Sequence, residues 1–441
     1  MSASLLSSAI HAGLVGDAEI AALLDDTARI QTMLKVEAAL ARVEGELGII
    51  PKAAAKRIAA VAGKLAIDPA SLAAGTAKDG MAVPALVAAL RAAVPPGDRT
   101  HVHFAGTSQD IIDTALVLAL RDALDIIEKR LRSLAKALAA LARKHRHTIM
   151  PGRTRFQPAV PIAFGGKVAA WLAPLLRDLD RLKEMRPRLL VLSFFGPAGT
   201  LSVLGTRGAD VEQALAAELG LGIASAPWHT ARDGFAELGS WLALVAGTLG
   251  KIGADVILLA QAEVAEVRPG SGGGSSTLPH KANPVGPEVL VALAGFAADR
   301  VGSLHRALVS AHERDGAAWT LEWLTLPDLL VATGAATRLA GDLIAGLVVD
   351  AKRMRDHVTA APGLLFAEGA TYALMAHMPR AEAEALVKAA IAEAVADAGH
   401  LVDVLAAKTR AAVDWAKLRD PQQALGLTGA YIDRVLKRVP R

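Results

Sequence analysis

The chain has no cysteine among its 441 residues. Disulfide bonds, thiolate metal sites and cysteine nucleophiles are therefore excluded, as is usual for proteins of a reducing compartment. Aromatic residues make up only 4% of the sequence, whereas 53% of the residues are hydrophobic. Alanine, leucine and valine supply most of this apolar content. Because alanine and leucine favour helices over strands, the composition predicts a helical core.

An excess of one charge is also missing. The 48 basic and 44 acidic side chains leave a net charge of +4 without any basic tract, so we expect neither a nucleic-acid nor a membrane partner. The most apolar long stretch, residues 241–261, contains Lys251 and Asp255 and is predicted to be a buried helix rather than a membrane span. The first residues lack the basic segment of a secretory signal, so we expect a cytoplasmic protein.

Apolar residues recur at helical spacing over long segments. The pattern predicts helices over 26–47, 52–65, 111–147, 161–185, 233–266, 287–312 and 327–354. Five of them are much longer than an average helix and must pack side by side to bury their apolar faces. We therefore predict an all-α fold with an N-terminal helical domain (1–105), a central long-helix bundle (106–355) and a C-terminal helical domain (356–441).

Two further features bear on the fold. Gly75, Gly80 and Pro84 predict a loose connection ahead of the central bundle, with a domain boundary near the prolines at 95 and 96. The helix predicted over 233–266 is apolar almost all round. Since a helix in a monomer should show a polar stripe towards water, this one predicts association between subunits.

The segment 267–287 differs from the rest of the chain because four glycines cluster at 270–274 and three prolines follow that cluster at 279, 284 and 287. The glycines allow unusual backbone angles and the prolines stiffen the second half. Ser275, Lys281 and Asn283 lie between them and supply hydrogen-bond donors and one cation. This composition suits a lid over an anionic substrate, and a flexible surface loop is the alternative. The spacing does not match that of a phosphate-binding P-loop.

Residues 274–284, G-S-S-T-L-P-H-K-A-N-P, resemble the G-S-S-x-M-P-x-K-x-N-P signature of the fumarase/aspartase superfamily, with Leu278 in place of methionine. Residues 103–115, H-F-A-G-T-S-Q-D-I-I-D-T-A, are similar to that superfamily's H-x-x-x-T-S-x-D-x-x-D-T-A element, although Ala105 and Gly106 stand in reversed order. Residues 152–161 resemble its G-R-T-H-x-Q-x-A-x-P element. The resemblance covers essentially the whole chain.

The resemblance implies a homotetramer in which three subunits contribute to each active site. It also implies proton transfer beside a carboxylate that becomes a dianionic aci-form, without a metal or an organic cofactor. On the same ground Ser275 is expected to transfer the proton, and Lys281 and Asn283 to stabilise the charge. His103, a further candidate for proton transfer, is expected to contact substrate. Thr107 and Ser108 are expected to bind it.

One departure from the superfamily pattern lies at position 155, where its lyases have a histidine and this chain has arginine. Arginine stays protonated and binds carboxylates bidentately, so Arg155 is predicted to hold a substrate carboxylate instead of moving a proton. Arg153 and Gln157 belong to the same element and are expected to bind substrate with it. An arginine on the surface near a helix entrance is the alternative interpretation of Arg155.

Residues 227–233, P-W-H-T-A-R-D, are similar to the P-W-H-T-x-R-D stretch of the carboxymuconate cycloisomerases within the superfamily. They add His229 and Arg232 as predicted substrate-binding residues. Arg155, Arg232 and Lys281 together would suit a small substrate with three carboxylates. Their convergence is inferred from this resemblance and does not follow from their spacing.

A second departure concerns residues 312–323, which resemble adenylosuccinate lyases as far as Arg314 and Asp315. Beyond that point Trp319 and Trp323 replace the serine and arginine that bind a nucleotide phosphate in those lyases. Indoles cannot neutralise a phosphate, so a nucleotide substrate is disfavoured and Trp323 is expected to contact a different substrate. A packed helix face is the alternative use of this four-residue spacing.

The activity implied by these resemblances is cycloisomerisation of 3-carboxy-cis,cis-muconate in aromatic catabolism through the protocatechuate/β-ketoadipate pathway. An adenylosuccinate-type lyase that releases fumarate and a non-catalytic structural or binding protein on the same scaffold are the alternatives. The twelve histidines form no convincing chelate, so we expect no metal site.

Overall fold

The computed structural model describes residues 4–270, 273–274, 278 and 281–440. This part of the chain is mostly helical, which confirms the helical fold predicted from the composition. The chain divides into two compact units. The first unit comprises residues 1–130, 178–250 and 289–338, and the second comprises 131–177, 251–288 and 339–441. The three-domain division at residues 105 and 355 stays a prediction.

The first unit begins with six helices. These are α1 (Ala12–Val15), α2 (Ala18–Ala21), α3 (Asp26–Glu46), α4 (Lys52–Ala62), α5 (Pro69–Asp79) and α6 (Val83–Ala93). Helix α3 is close to its predicted bounds. Asp25 caps its first turn by accepting the N–H of Ala28 at 2.7 Å, and Gly48 adopts a positive φ of 70° just after its end.

Helices α5 and α6 were not predicted, and the expectation of a loose connection there is wrong. Gly75 lies inside α5 because α6 approaches closely at this point: a Cβ added to it would stand 2.9 Å from Cβ of Ala85. Gly80 ends α5 at a φ of 72°, and Pro84 occupies the first turn of α6, where its missing N–H leaves no hydrogen bond unmade. Glycine and proline here serve helix packing and helix ends.

The long helices of the middle of the chain are present, with shifted ends. They are α7 (Ser108–Lys144), α8 (Phe164–Leu189), α9 (Gly208–Leu219), α10 (Asp233–Ala260), α11 (Val285–Ala307) and α12 (Gly316–Gly346), of which α9 is short. The largest error concerns α12, which was predicted to begin at Pro327. That proline lies inside the helix, so packing around the helix outweighs the one backbone hydrogen bond that proline cannot make.

One hairpin and one pairing of two distant short strands lie within the second unit. Strands β1 (Ile149–Thr154) and β2 (Gln157–Ala163) pair antiparallel, as do β3 (Val267–Arg268) and β4 (Val348–Val349). The apolar spacing predicts a helix from Pro161 onwards, whereas that residue lies in β2 and pairs with Pro151. Strand β2 leads directly into α8.

The C-terminal helices belong wholly to the second unit. They are α13 (Ala351–Thr359), α14 (Ala367–Met375), α15 (Arg380–Ala396), α16 (Leu401–Lys408), α17 (Trp415–Arg419) and α18 (Thr428–Leu436). Leu374, Val387, Leu401 and Leu405 pack in their core. The core of the first unit joins α3, α4 and α6 to the start of α7 through residues such as Leu34, Leu86 and Leu118. Each unit therefore has its own apolar interior.

Within the described residues, two helices, α10 and α12, are long and apolar enough to cross a membrane. Half of the most apolar window of α10 and two-thirds of that of α12 are buried in the protein. Core helices of water-soluble proteins meet the same criterion. The burial accords with the predicted role of α10 as an interior helix.

Candidate active site

The loop that precedes α7 carries the beginning of the motif at residues 103–115 and is fixed by one buried carboxylate. Asp110, in the first turn of α7, accepts the N–H of Thr107 at 3.1 Å, as the third residue of a capping box does. It also accepts the N–H groups of Phe195 and Gly196 at 2.9 and 3.0 Å and Nε2–H of His229 at 2.8 Å. Asp110 is 1% exposed, so these bonds are sheltered from water and hold the loop in place.

His103 lies in this loop at a φ of 58°, a left-handed conformation that is costly for a side chain other than glycine. Its Nδ1 donates to Oε1 of Glu37 on α3 at 2.6 Å. Burial alone would lower the pKa of His103, but the bond to Glu37 outweighs it and raises the pKa above its usual value. The imidazole is therefore oriented and favoured in its protonated form.

Arg314 is a candidate site residue that the sequence analysis named only as the point where two families diverge. Its Nε donates to Oε1 of Gln109 at 2.9 Å, and its NH2 nitrogen donates to Oγ1 of Thr107 at 3.1 Å and to the carbonyl of Pro197 at 3.4 Å. All three acceptors are neutral. Within the described residues no carboxylate pairs with Arg314, so its charge is available to an anionic ligand.

Arg232 stands in the opposite situation. Its guanidinium is bound by Asp113 at 2.6 Å and by Glu322 at 2.6 Å, and it lies over the rings of Trp228 and Phe235. Burial alone would lower the pKa of Arg232, but the two carboxylates raise it above its ordinary value. With 3% of its side chain exposed, Arg232 is already neutralised inside the first unit. This placement opposes the expectation that Arg232 binds a substrate carboxylate.

His229 and the tryptophans are likewise packed around this ion-pair cluster. His229 is 5% exposed, with Nε2 engaged by Asp110. The indole N–H of Trp319 donates to Asp113 at 3.1 Å, and its ring lies 4.6 Å from that of Trp323. Trp323 lines an apolar cavity of about 540 Å³ between α3, α5, α7 and α12. The packed-helix alternative therefore describes Trp319, whereas Trp323 still borders open space.

The motif at residues 152–161 includes the turn of the β1–β2 hairpin. Arg155 and Phe156 are its two central residues, with φ of 49° and 66°, which is the type I′ geometry that most often takes Asn-Gly. The tight turn exposes both side chains, and Phe156 is 78% exposed. Among the described residues no carboxylate pairs with Arg155. Gln157, at the start of β2, is exposed beside it.

Arg153, two residues before Arg155, is held differently. Its guanidinium forms a bidentate pair with Glu266 at 2.9 and 2.6 Å, and His357 donates Nδ1–H to the same carboxylate at 2.7 Å. Glu266 is completely buried. Arg153 therefore ties β1 to the segment before β3, and its charge is balanced within the second unit. This placement opposes the expectation that Arg153 binds substrate.

The described residues of the segment 267–287 form backbone hydrogen bonds with one another. Gly273 and Asn283 exchange N–H···O bonds of 3.0 and 2.8 Å, and the N–H of Lys281 donates to the carbonyl of Leu278 at 2.9 Å. Lys281 is exposed and has no carboxylate partner in the described part of the chain. Ser275, the predicted proton-transferring residue, lies outside the described residues.

The predicted site residues thus fall into two groups, one in each unit. The first unit holds His103, Thr107, Ser108, His229, Arg232 and Trp323, and the second holds Arg153, Arg155, Gln157, Lys281 and Asn283. Sequence reasoning missed Gln109, Glu37 and Arg314, because their role depends on contacts between distant segments. In the described part of the chain no group of three or more His, Asp or Glu side chains is arranged to hold a metal ion.

Known proteins resemble this chain over most of its length. The family described as "Lyase" matches residues 19–298. The 3-carboxy-cis,cis-muconate cycloisomerase of Bradyrhizobium diazoefficiens is 42% identical over 98% of this chain and 99% of its own length.

Solved structures match over almost the whole chain as well. The 3-carboxy-cis,cis-muconate lactonizing enzyme of Pseudomonas putida superposes with a TM-score of 0.91 at 38% identity, covering 97% of this chain and 98% of its own. A fumarate lyase of Mesorhizobium sp. BNC1 gives a TM-score of 0.90 at 38% identity, covering 96% and 98%. The chain therefore belongs to the lyase family of the fumarase/aspartase superfamily.

Proposed function

We propose that this chain catalyses the cycloisomerisation of 3-carboxy-cis,cis-muconate to a carboxymuconolactone. The 42% identity to a cycloisomerase over nearly the full length of both proteins supports the reaction class. The substrate carries three carboxylates, and the pathway is the protocatechuate branch of aromatic catabolism. The scheme includes no organic cofactor or metal, because it assigns stabilisation of the developing charge to Lys281, Asn283 and loop N–H groups.

The observation that carries the substrate assignment is the state of the cations. Arg155, Arg314 and Lys281 have no carboxylate partner within the described residues, whereas Arg153 and Arg232 are neutralised by buried acids. Three cations without a carboxylate partner equal in number the three carboxylates of the proposed substrate. In the proposed site, Arg314 takes the part that the sequence analysis gave to Arg232, and Arg232 supports the fold beneath it. Thr107 and Gln109 orient Arg314 through their oxygen atoms.

The chemistry needs one bond and one proton. A substrate carboxylate oxygen attacks a carbon of the double bond, the π electrons move towards the neighbouring carboxylate, and an aci-form dianion results. Lys281, Asn283 and loop N–H groups stabilise this charge, and a proton delivered to the adjacent carbon completes the lactone. Binding the flexible diene in a curled shape supplies proximity, which reaches roughly 7–11 kcal/mol in favourable reactions.

The proton donor is Ser275, His103 or a water molecule in this scheme. A serine hydroxyl is a weak acid and base in water, so Ser275 would need a closed loop and nearby cations to act. His103 is held by Glu37 and favoured in its protonated form. Arg155 cannot exchange a proton at neutral pH and serves as a carboxylate clamp. Ser108, Gln157 and Trp323 complete the proposed substrate-binding set.

We further propose a cytoplasmic homotetramer whose active sites are shared between subunits. Large apolar side chains are exposed on three of the long helices: Leu244 and Leu258 on α10, Val291 on α11 and Leu324 on α12, with exposures between 38% and 67%. Side chains of this size are stabilised by burial against another subunit. Site residues in both units of the chain are consistent with a site assembled from several copies.

A lyase that releases fumarate is the second candidate, because a fumarate lyase matches this fold as closely as the lactonizing enzyme does. Trp319 and Trp323 oppose a nucleotide substrate, since indoles at those places cannot bind a phosphate. A non-catalytic protein on the same scaffold is disfavoured by the uncommitted Arg155, Arg314 and Lys281.

The deciding experiment offers 3-carboxy-cis,cis-muconate, adenylosuccinate and argininosuccinate separately to the purified protein. We expect the diene absorbance to disappear with the first compound and no fumarate to form from the others. Ser275→Ala should lower turnover by at least about a hundredfold and leave the oligomer intact if Ser275 takes part in proton transfer. Fumarate release from adenylosuccinate would replace the proposed reaction with a lyase reaction.

A further inference from the structure

Helix α3 places two buried acidic side chains seven residues apart on one face, and only one of them has a partner. The side chain of Glu37 is 1% exposed and accepts the hydrogen bond from His103. Glu44 is also 1% exposed, and neither of its oxygens makes a hydrogen bond within the described residues. Burying an acid is costly unless it is paired or neutral, so the two carboxyls differ in state as well as in surroundings.

Among the described residues, only one of the two ring nitrogens of His103 makes a hydrogen bond. Nδ1 is bound to Glu37 at 2.6 Å, whereas Nε2 makes no hydrogen bond to the described part of the chain. The ring is 14% exposed, and it lies against Gly106, where an added Cβ would stand 3.7 Å from its Cε1 atom. The backbone of His103 has a φ of 58°. Backbone and carboxylate together fix which edge of the ring can reach a ligand.

We propose, on the basis of the function argued above, that Glu37 is a positioning residue that holds His103 as the proton donor of the reaction. The carboxylate fixes the ring through Nδ1 and leaves Nε2–H for the substrate. After the carboxylate oxygen has closed the lactone, Nε2–H protonates the carbon beside the aci-carboxylate, and the C–H bond forms as the N–H bond breaks. The neutral imidazole then regains a proton from water.

The charges that face His103 determine its protonation. Glu37 on α3 and Asp110 on α7 favour the imidazolium, while burial and Arg91 on α6 oppose it. The net effect is a raised pKa of His103. Glu44 faces Glu37 from the same helix, but burial and the charge of Glu37 raise the pKa of Glu44 to about 9. Glu44 is therefore uncharged at neutral pH and leaves Glu37 as the charge that controls His103.

The kinetic test compares Glu37→Gln, His103→Gln and the double variant over the pH range. We expect Glu37→Gln to lower kcat by about tenfold to a hundredfold with little change in KM, because an amide holds the ring without its charge. The basic limb of the kcat profile should move to lower pH, since the proton is lost more easily. The double variant should be no slower than His103→Gln, and Glu37→Asp should recover part of the activity.

A spectroscopic test reads the same coupling without substrate. In protein with isotope-labelled histidine, the His103 resonance is identified by its loss in His103→Gln and titrated by NMR. The His103 titration should move to lower pH in Glu37→Gln and stay in place in Glu44→Gln, the matched control two turns along α3. Glu44→Gln should also keep the kcat profile.

An unmoved His103 titration in Glu37→Gln would overturn the positioning role whatever the substrate is. Losses that add independently in the double variant, or a kcat profile that keeps its basic limb in Glu37→Gln, would also overturn it. Failure of the natural protein to consume 3-carboxy-cis,cis-muconate would instead defeat the proposed function. The two failures are therefore distinguishable.

Discussion

Arg232 and Arg314 carry the same charge on the same side chain, but their hydrogen-bond partners differ. Arg232 is enclosed by Asp113 and Glu322, whereas Arg314 rests on the neutral oxygens of Gln109, Thr107 and Pro197. Removing one partner of a buried ion pair leaves an uncompensated charge, so substitution of Arg232 is expected to damage the fold. Substitution of Arg314 should act on substrate binding instead.

Glu44 offers a test of charge burial at a single residue. Burial and Glu37 raise its pKa from 4.5 to about 9 in the folded protein. In the unfolded chain Glu44 loses its proton near pH 4.5, while the folded protein keeps it, so stability falls as the pH rises from about 5 to about 9. Glu44→Gln does not titrate. We expect the variant to gain in thermal midpoint relative to the natural protein across this range, by several degrees at pH 9.

Calorimetry or circular dichroism at pH 5, 7 and 9 measures this difference. Equal slopes of melting temperature against pH in both proteins would show that Glu44 titrates normally and that its surroundings are not apolar. Activity at neutral pH serves as the control, because Glu44 is uncharged there and lies outside the proposed catalytic machinery.

The β1–β2 hairpin carries two arginines with different surroundings. Its strand carries Arg153, which is locked to Glu266, and its two-residue turn carries Arg155, which is exposed. These arginines stand two positions apart in one motif, and the family resemblance predicts substrate binding for both. Pairing with Glu266, which lies 113 positions further along the chain, is what distinguishes them.

The same substitution at the two positions should therefore give different results. Arg155→Gln is expected to raise KM for the tricarboxylate at least about tenfold and to leave the melting temperature unchanged, since it removes a bidentate carboxylate contact. Arg153→Gln leaves Glu266 with only His357 and is expected to destabilise the fold by about 3–5 kcal/mol. Steady-state kinetics and thermal unfolding of both variants provide the comparison. A stable Arg153→Gln with raised KM would return Arg153 to the substrate site.

Helix positions were predictable to the extent that local pattern decides them. The apolar spacing located α3, α7 and α10 well, because one face of each is buried along its length. At α5, α6 and α12, glycine and proline lie within helices or at their ends, where sequence pattern alone predicts a break. There the reason for Gly75 is contact with Ala85, and Pro327 is carried inside a packed helix. Such tertiary effects have no local signal.

At the scale of the whole molecule, the exposed apolar side chains of the long helices remain to be covered. Leu244 is 48% exposed on α10, although half of the most apolar window of that helix is buried. In the proposed tetramer this face is an interface between subunits. A charge placed there would have to be buried with the interface, which is costly unless it finds a partner.

Leu244→Glu is accordingly expected to shift the protein to smaller species and to abolish activity with them. Val395→Glu, at an exposed apolar position of 57% on the C-terminal helix α15, is the matched control and should keep the assembly. Sedimentation velocity or light scattering with chromatography gives the masses. A Leu244→Glu variant that keeps the mass and activity of the natural protein would remove this face from the proposed interface.

The sequence by itself determined the helical fold class, the long helices and the three motif elements that identify the family, because these depend on local periodicity and on residue order. It also determined that Arg155 stands where related lyases have histidine. Only the tertiary structure decided which cations are free, since Arg153 and Arg232 meet their carboxylates through contacts 113 and 90 positions apart. The pairing of His103 with Glu37, 66 positions away, belongs to the same class of information. Charge at a site is the sum of what the folded chain brings together, and a spacing in sequence does not contain it.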